Sequence, residues 1–370
     1  KVMVNAAVAR ARPLADILEN DLEPFNPLMR LVDVEVDQER KTVSATAFGV
    51  EKRKAVFQDC LGCAVVPPSR EAEGLQFASA CIEPQPEDPE TVSWPTGDLD
   101  AEGTFPEMDE TKLQEALDRE FAEPDAERPR RARAVVVVYQ GKIVAERYAP
   151  GFDKSMPMHG RSMTKSITSA LVGILVGEGR LAVNDPAPIA EWRAPGDPHG
   201  RITIDHLLRM SAGFDFHHDV SPAGQRQQAL FGAIDSTAYS VACPLEVEPG
   251  SRWEYANANP HCLWRIIRDT LDSDEEYLTF PRRALFNRIG MRSALIEPDP
   301  YGNLIGTSFG WATARDWARF GLLYLNDGVW DGERILPEGW VAYTRAPAPA
   351  AKFKHYGALF WLNAGAKEFA

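Results

Sequence analysis

The chain has 370 residues, 44% of them hydrophobic and 25% charged, with a formal net charge of −14. That length holds one large domain or two ordinary ones, and the balance is that of a globular protein with ample core. The acidic surplus makes nucleic acid and anionic membrane surfaces poor partners, and no apolar run approaches the length of a membrane-spanning helix.

Residues 1–82 read as a small α+β unit. Ala6 to Leu22 has helical spacing broken at Pro13. Leu31 to Val36 and Thr42 to Phe48 alternate like paired strands about the turn Asp37-Gln38-Glu39-Arg40, and Lys54 to Phe57 adds a third strand. Cys60-Leu61-Gly62-Cys63 has C-x-x-C spacing, but no second pair and no suitable histidine follows, and a structural zinc needs four ligands. Buried free cysteines, or one disulfide, are expected among Cys60, Cys63, Cys81, Cys243 and Cys262. Residues 83–107 place Pro84, Pro86, Pro89, Pro95 and Pro106 among many acids and read as a linker or wrapping loop.

A larger domain follows over residues 108–370. Asp109 to Ala122 is predicted as an amphipathic helix, with Asp109 as cap and Leu113, Leu117 and Phe121 on one stripe. Ala134 to Tyr139 and Ile143 to Tyr148 flank Gln140-Gly141-Lys142 as a hairpin. From Ser162 to about residue 290 the signals are mostly helical. They are the apolar run Ser166 to Val176, a short helix Ile204 to Met210 capped by Thr203, and Asn259 to Leu271 with Pro260 in its first turn. Thr313 to Leu325 is a further helix, with Trp317, Phe320, Gly321 and Tyr324 turned inward. A hairpin, a long helical insert and more strands make an α+β protein with a mixed-layer part and a helical part.

Two short motifs carry chemistry. Ser162-Met163-Thr164-Lys165 opens the apolar helix, where positions i and i+3 share a face, so the hydroxyl and the amine can meet. A serine hydroxyl needs a neighbouring base, and a lysine serves if burial leaves part of it neutral. The second motif is Tyr255-Ala256-Asn257. A tyrosine held partly ionised by a nearby lysine can exchange protons with the serine and the leaving group. The Asn257 amide suits holding Lys165 on one side and a substrate amide on the other.

Together these motifs resemble the serine β-lactamase and penicillin-binding-protein superfamily. Within it they are most similar to the class C β-lactamase-like branch, with its D-peptidases, esterases and 6-aminohexanoate-oligomer hydrolases. That branch sets Y-x-N roughly ninety to a hundred residues after S-x-x-K, and Ser162 to Tyr255 fits. The stretches 177–186, 202–213 and 313–321 also look like it, and the resemblance covers about residues 108 to 365. It implies an antiparallel sheet flanked by helices plus a helical domain, with residues 1–82 as a small N-terminal α+β extension. It also implies that Ser162 is the acylated nucleophile, that Lys165 and Tyr255 share the proton transfers and that Asn257 positions substrate. No metal or cofactor enters this chemistry.

The expected substrate is a small-molecule ester or amide, or a peptide. The loop Phe214 to Gln228 lacks a tyrosine that some amide-cleaving relatives use, which favours ester over amide, with β-lactams less favoured. The competing class is a non-catalytic penicillin-binding-type sensor or binding protein on the same fold. Residues 1–82 are open to roles as a cap, a homodimer interface or an anchor-proximal unit. Compartment is hardly legible, with a periplasmic or secreted location preferred to a cytoplasmic one.

Three patterns are read as decoys. The family's third motif, Lys-Thr-Gly or His-x-Gly, supplies half of an oxyanion hole, one donor of which contributes about 3 kcal/mol. His355-Tyr356-Gly357 matches it, but Ala358 to Asn363 resembles the strand that precedes the real motif. The last strands, the third motif and a closing helix are then expected to be missing from these residues, leaving an open edge at the 134–148 hairpin. Gly306-Thr307-Ser308-Phe309-Gly310 matches the G-x-S-x-G elbow but lacks a buried strand before it. His217-His218 beside Asp219 reads as loop surface rather than a metal site, and His206 and His261 are scattered.

Overall fold

The computed structural model describes residues 13–23, 27–47, 49, 51–66, 80–99, 105–125, 127–217, 221 and 224–363. The expected helical stretch before Pro13, together with Phe48, His218 and Asp219, lies outside these residues. Leu14–Ile17 is α-helical and Leu18–Leu22 continues it as a π-turn.

Four antiparallel strands follow in the order β1 (Val32–Asp37), β2 (Thr42–Ala47), β3 (Glu51–Gln58) and β4 (Gly62–Val66). The register opposes Val36 to Val43 and Val34 to Ala45, so one face is apolar. Val34, Val36, Phe57 and Val65 pack there around Val43, Ala55 and Cys63. The third strand is longer than its apolar residues predict, because Glu51 to Lys54 pair in register with Ala47 to Ser44. Strand β4 was not anticipated. Its C-x-x-C approach is a tight turn, with Cys60 at φ 65° and Gly62 at φ 78°. The turn sends the two cysteines apart: Cys60 is disulfide-bonded to Cys81, with Cα atoms 5.4 Å apart, while Cys63 is buried and, like Cys243 and Cys262, outside the disulfide. The sheet is tied to the rest of the chain where the Cys63 amide donates to the buried Glu297 carboxylate, 3.0 Å away.

The proline-rich stretch wraps the larger part. Arg319 donates to the Pro95 carbonyl (2.6 Å) and to Asp98 (2.6 Å), and its guanidinium lies over the Trp94 ring. Arg315 donates to the Asp98 carbonyl and pairs with Glu146. These arginines come from the helix Ala314–Leu325, which Thr313 caps by accepting from the Asp316 amide. They are nearly fully buried, as charged groups are only when partnered.

The helix Glu110–Phe121 forms as expected, with Asp109 accepting from the Lys112 amide. The hairpin β5 (Ala134–Tyr139) and β6 (Lys142–Tyr148) also forms, with a bulge between Val137 and Val138. A second group runs β7 (Met158–His159), β9 (Gly310–Ala312), β8 (Leu295–Ile296), all antiparallel. The expected single sheet is therefore split. Among the described residues β5 and β6 pair only with each other, and no segment supplies the hydrogen-bonding row that would join the two groups.

The helix Thr164–Gly177 is the axis of the core. From Ala170 to Val176 its sequence is apolar on every side, and eleven of its residues are buried, from Thr164 to Leu175. Burial of side chains such as Ile167, Leu171 and Leu175 contributes about 2 kcal/mol each. The helix ends where Gly179 takes φ 71° and Arg180 N–H returns to the Leu175 carbonyl. Ala258–Thr270 packs against it and against Ile204–Leu208 and Ser236–Val241. No helix among the described residues is long and apolar enough to cross a membrane.

Candidate active site

Ser162 stands in a 3-10 turn, Arg161–Met163, that leads directly into the helix Thr164–Gly177. Arg161 before it is held at φ 45°, a strained backbone for a residue with a side chain. Thr164 locks the turn: its hydroxyl donates to the Arg161 carbonyl (2.6 Å) and accepts from the Gly310 amide (2.9 Å). The serine is therefore presented by the first turn of a buried helix, where backbone N–H groups lack intrahelical acceptors.

Lys165 follows one turn later and is 1% exposed. Its Nζ lies 3.3 Å from Ser162 Oγ and 2.6 Å from the Thr307 carbonyl oxygen. Burial, and after it the Arg226 charge, pull the amine down from the usual lysine range to about 7. Half of such a lysine is neutral at neutral pH.

Tyr255 lies in extended chain beside this pair, with Lys165 Nζ 4.9 Å from its ring centroid. Its phenol oxygen is hydrogen-bonded to Ser162 and to Trp361. The partly ionised phenolate expected from the sequence is not favoured. Burial pushes Tyr255 above the ordinary tyrosine value, outweighing the Ser162 and Trp361 bonds and the Arg226 charge. The lysine that was to hold a phenolate is itself partly neutral.

Asn257 is 2% exposed and precedes the helix Ala258–Thr270. Its amide nitrogen is buried without a hydrogen-bond partner among the described residues. The lysine contact expected of Asn257 is taken instead by the Thr307 carbonyl, which reaches Lys165 from the segment before β9.

Ser162 and Tyr255 open onto a cavity of about 430 Å³, whose walls include Met163, Tyr356, Leu359 and Trp361. The far wall is anchored at Leu359, whose amide donates to the Leu208 carbonyl and whose carbonyl accepts from Ser166 Oγ at 3.0 Å. The His355-Tyr356-Gly357 triplet turns back on itself. Tyr356 bridges to Trp361, and the Gly357 amide donates to the Phe360 carbonyl rather than into the cavity. The G-x-S-x-G match is also structural: its last glycine opens β9, not a helix, and a Cβ on Gly310 would lie 2.8 Å from Thr164 Oγ1.

Spacing gives Thr307, Arg226 and Trp361 no role at the site: Thr307 is read only within the G-x-S-x-G decoy, Arg226 only within the loop Phe214 to Gln228, and Trp361 only within the strand-like run Ala358 to Asn363. Arg226 sits on the turn Gln225–Gln227 with a buried Nε that has no hydrogen-bond partner among the described residues. The remaining histidines separate. His206 completes the cap at Thr203, and His261 is buried behind the site. His217 pairs with Asp215 (3.1 Å) and Glu254 (3.3 Å). Asp215, His217 and Glu246 bring potential ligand atoms within 4.8 Å of one another, but Arg252 already pairs with Glu246 and Glu254, so the group is an exposed ion-pair network.

A serine–lysine turn on a buried helix, set between short antiparallel strands and a helical region, defines a β-lactamase/transpeptidase-like α+β fold. The chain belongs to the Beta-lactamase family, whose family model matches residues 117–361, in the class C-like branch that includes 6-aminohexanoate-dimer hydrolase homologues. It is 28% identical over 279 residues to 6-aminohexanoate-dimer hydrolase of Paenarthrobacter ureafaciens, an alignment covering 69% of this chain and 64% of that protein's length. A solved structure from Bacillus anthracis, put forward as a 6-aminohexanoate-dimer hydrolase, is similar at TM-score 0.54 and 24% identity, over 76% of this chain and 74% of that one. The octameric penicillin-binding protein homologue from Pyrococcus abyssi is similar at TM-score 0.52 and 19% identity, over 68% and 64% of the two chains. Likenesses at those two identities bear on the fold alone.

Proposed function

We propose that the protein is a serine hydrolase that cleaves an ester or amide through an acyl-enzyme on Ser162. One observation carries this: a fully buried lysine, its amine drawn down to about 7, lies 3.3 Å from the Ser162 hydroxyl beside an open cavity. Neutral Lys165 takes the Ser162 proton as Oγ attacks the substrate carbonyl. Tyr255, still carrying its own proton, hands it to the leaving group and is resupplied from Lys165. Water then attacks the acyl-enzyme, with its proton passing back along the same groups to restore Ser162. The Ser162 amide is one oxyanion donor, and the partnerless Asn257 nitrogen is a donor for substrate.

A fluorophosphonate probe tests the nucleophile. Wild type should be labelled and Ser162→Ala should not; equal labelling removes the assignment. Turnover of p-nitrophenyl acetate, a β-lactam chromogen and the 6-aminohexanoate dimer then separates ester, β-lactam and linear amide substrates. The sensor reading is favoured by one feature, the Gly357 amide engaged by Phe360 instead of facing the cavity. Stoichiometric acylation by all three compounds without turnover would select it.

A further inference from the structure

A histidine lies behind the catalytic lysine, and its hydrogen bonds run in one direction. His261 is fully buried on the helix Ala258–Thr270, with Nδ1 2.9 Å from Ser240 Oγ and Nε2 3.2 Å from Thr307 Oγ1. Ser240 donates its hydroxyl proton to the Ser236 carbonyl at 2.8 Å. A hydroxyl has a single donor, so Ser240 accepts from His261, and the ring proton is on Nδ1. Nε2 then carries the lone pair and accepts the Thr307 hydroxyl proton. Every member is satisfied with a neutral imidazole. Burial and the Lys165 charge hold the ring in that state, with a pKa of about 3.

Thr307 connects this chain to the lysine, since its carbonyl accepts from Lys165 Nζ. The residue before it, Gly306, is gripped as well. Thr168 Oγ1 donates to the Gly306 carbonyl at 2.8 Å and accepts from Trp264 Nε1 at 2.9 Å. The approach is so close that a Cβ on Gly306 would lie 1.7 Å from Trp264 Nε1.

We propose that His261 is a positioning residue: between Ser240 and Thr307 it fixes the Thr307 carbonyl, so that Lys165 directs an N–H there and its lone pair toward Ser162. The proposal rests on the reading of Ser162 and Lys165 as nucleophile and base. It assigns His261 no contact with substrate and no proton transfer in the reaction. Misplacement of a reacting group by an ångström costs on the order of a hundredfold in rate, so loss of this support has a measurable effect.

The test is the rate of fluorophosphonate labelling of the whole chain, followed against probe concentration and pH. His261→Leu should lower the maximal labelling rate about ten-fold or more with half-saturation little changed. It should also move the pH midpoint upward from about 7, because a loosened Thr307 admits water to the amine. Thr307→Val, which removes only the hydroxyl and decides the matter if His261→Leu fails to fold, should do the same. His261→Gln keeps one donor and one acceptor and should restore most of the rate. If Ser162→Ala still labels, the hydrolase reading fails and this proposal falls with it. If labelling requires Ser162 but His261→Leu and Thr307→Val keep the wild-type rate and midpoint, the positioning role alone is overturned. A rate loss with an unmoved midpoint and no rescue by His261→Gln marks a merely structural role and overturns it too.

Discussion

Lys165 Nζ is held more closely by the Thr307 carbonyl oxygen, at 2.6 Å, than by the serine it faces, at 3.3 Å. The partner is a neutral carbonyl, and no carboxylate among the described residues is paired with the amine. A carboxylate would favour the ammonium form and raise the pKa; here burial dominates and lowers it to about 7.

The first prediction concerns pH. In the proposed mechanism the neutral amine is the base, and its fraction grows as pH rises through about 7. Fluorophosphonate labelling should therefore climb through a midpoint near that value and level off above it. A flat profile, or a midpoint close to the ordinary lysine value, would contradict the assignment of Lys165 as base.

The same shift has a stability consequence. The amine titrates near 7 when folded and near 10.5 when unfolded, so between those values the unfolded chain binds more protons. Stability then rises with pH across that window, and the buried lysine is a burden at pH 7. Lys165→Met should be unlabelled yet more stable than wild type at pH 7 by about 2 kcal/mol, less the cost of an unpartnered Thr307 carbonyl. The advantage should shrink toward pH 10. Urea unfolding at two pH values checks this, and a mutant less stable than wild type at pH 7 would refute it.

Tyr255 separates the two proton-transfer groups. Because burial keeps its phenol protonated, Tyr255→Phe should slow acylation about a hundredfold without moving the midpoint near 7. Disappearance of that midpoint in Tyr255→Phe would make the tyrosine the base.

Arg319 tests the wrapping stretch. It is 2% exposed and bonded to Asp316, Asp98 and the Pro95 carbonyl. Arg319→Ala strands these groups and should destabilise the protein by about 3–5 kcal/mol, read from chemical unfolding. Arg319→Lys should recover little, since one ammonium cannot reproduce the fork. A loss below about 1 kcal/mol would mean that the stretch is not held by this arginine.

Local pattern made much of the scaffold legible. The hairpin at Gln140-Gly141, the caps at Asp109 and Thr203 and the apolar helix after Ser162 all follow from short-range rules, and all are present. Strand β4 was missed because Gly62–Val66 is short and its turn relies on a positive φ at Cys60, a conformation uncommon for a residue with a side chain. The third-motif match at His355, read from its context as a decoy, has its glycine amide turned away from the cavity. The residue types fit, but the Gly357 amide is turned to Phe360.

Sequence by itself determined the pairing of Ser162 with Lys165, because a helical turn brings positions three apart onto one face whatever surrounds them. It also marked Tyr255 and Asn257 as members of an ordered set of motifs. What those groups do as acids and bases was decided only by tertiary structure. A pKa depends on what is excluded and what is brought near, and here water is excluded by the core while Thr307 and Arg226 arrive from loops far along the chain. Long-range packing of that kind leaves no periodicity to read, so the motifs make a partly neutral lysine and a partly ionised tyrosine both conditional on their surroundings, and burial favours the first and opposes the second.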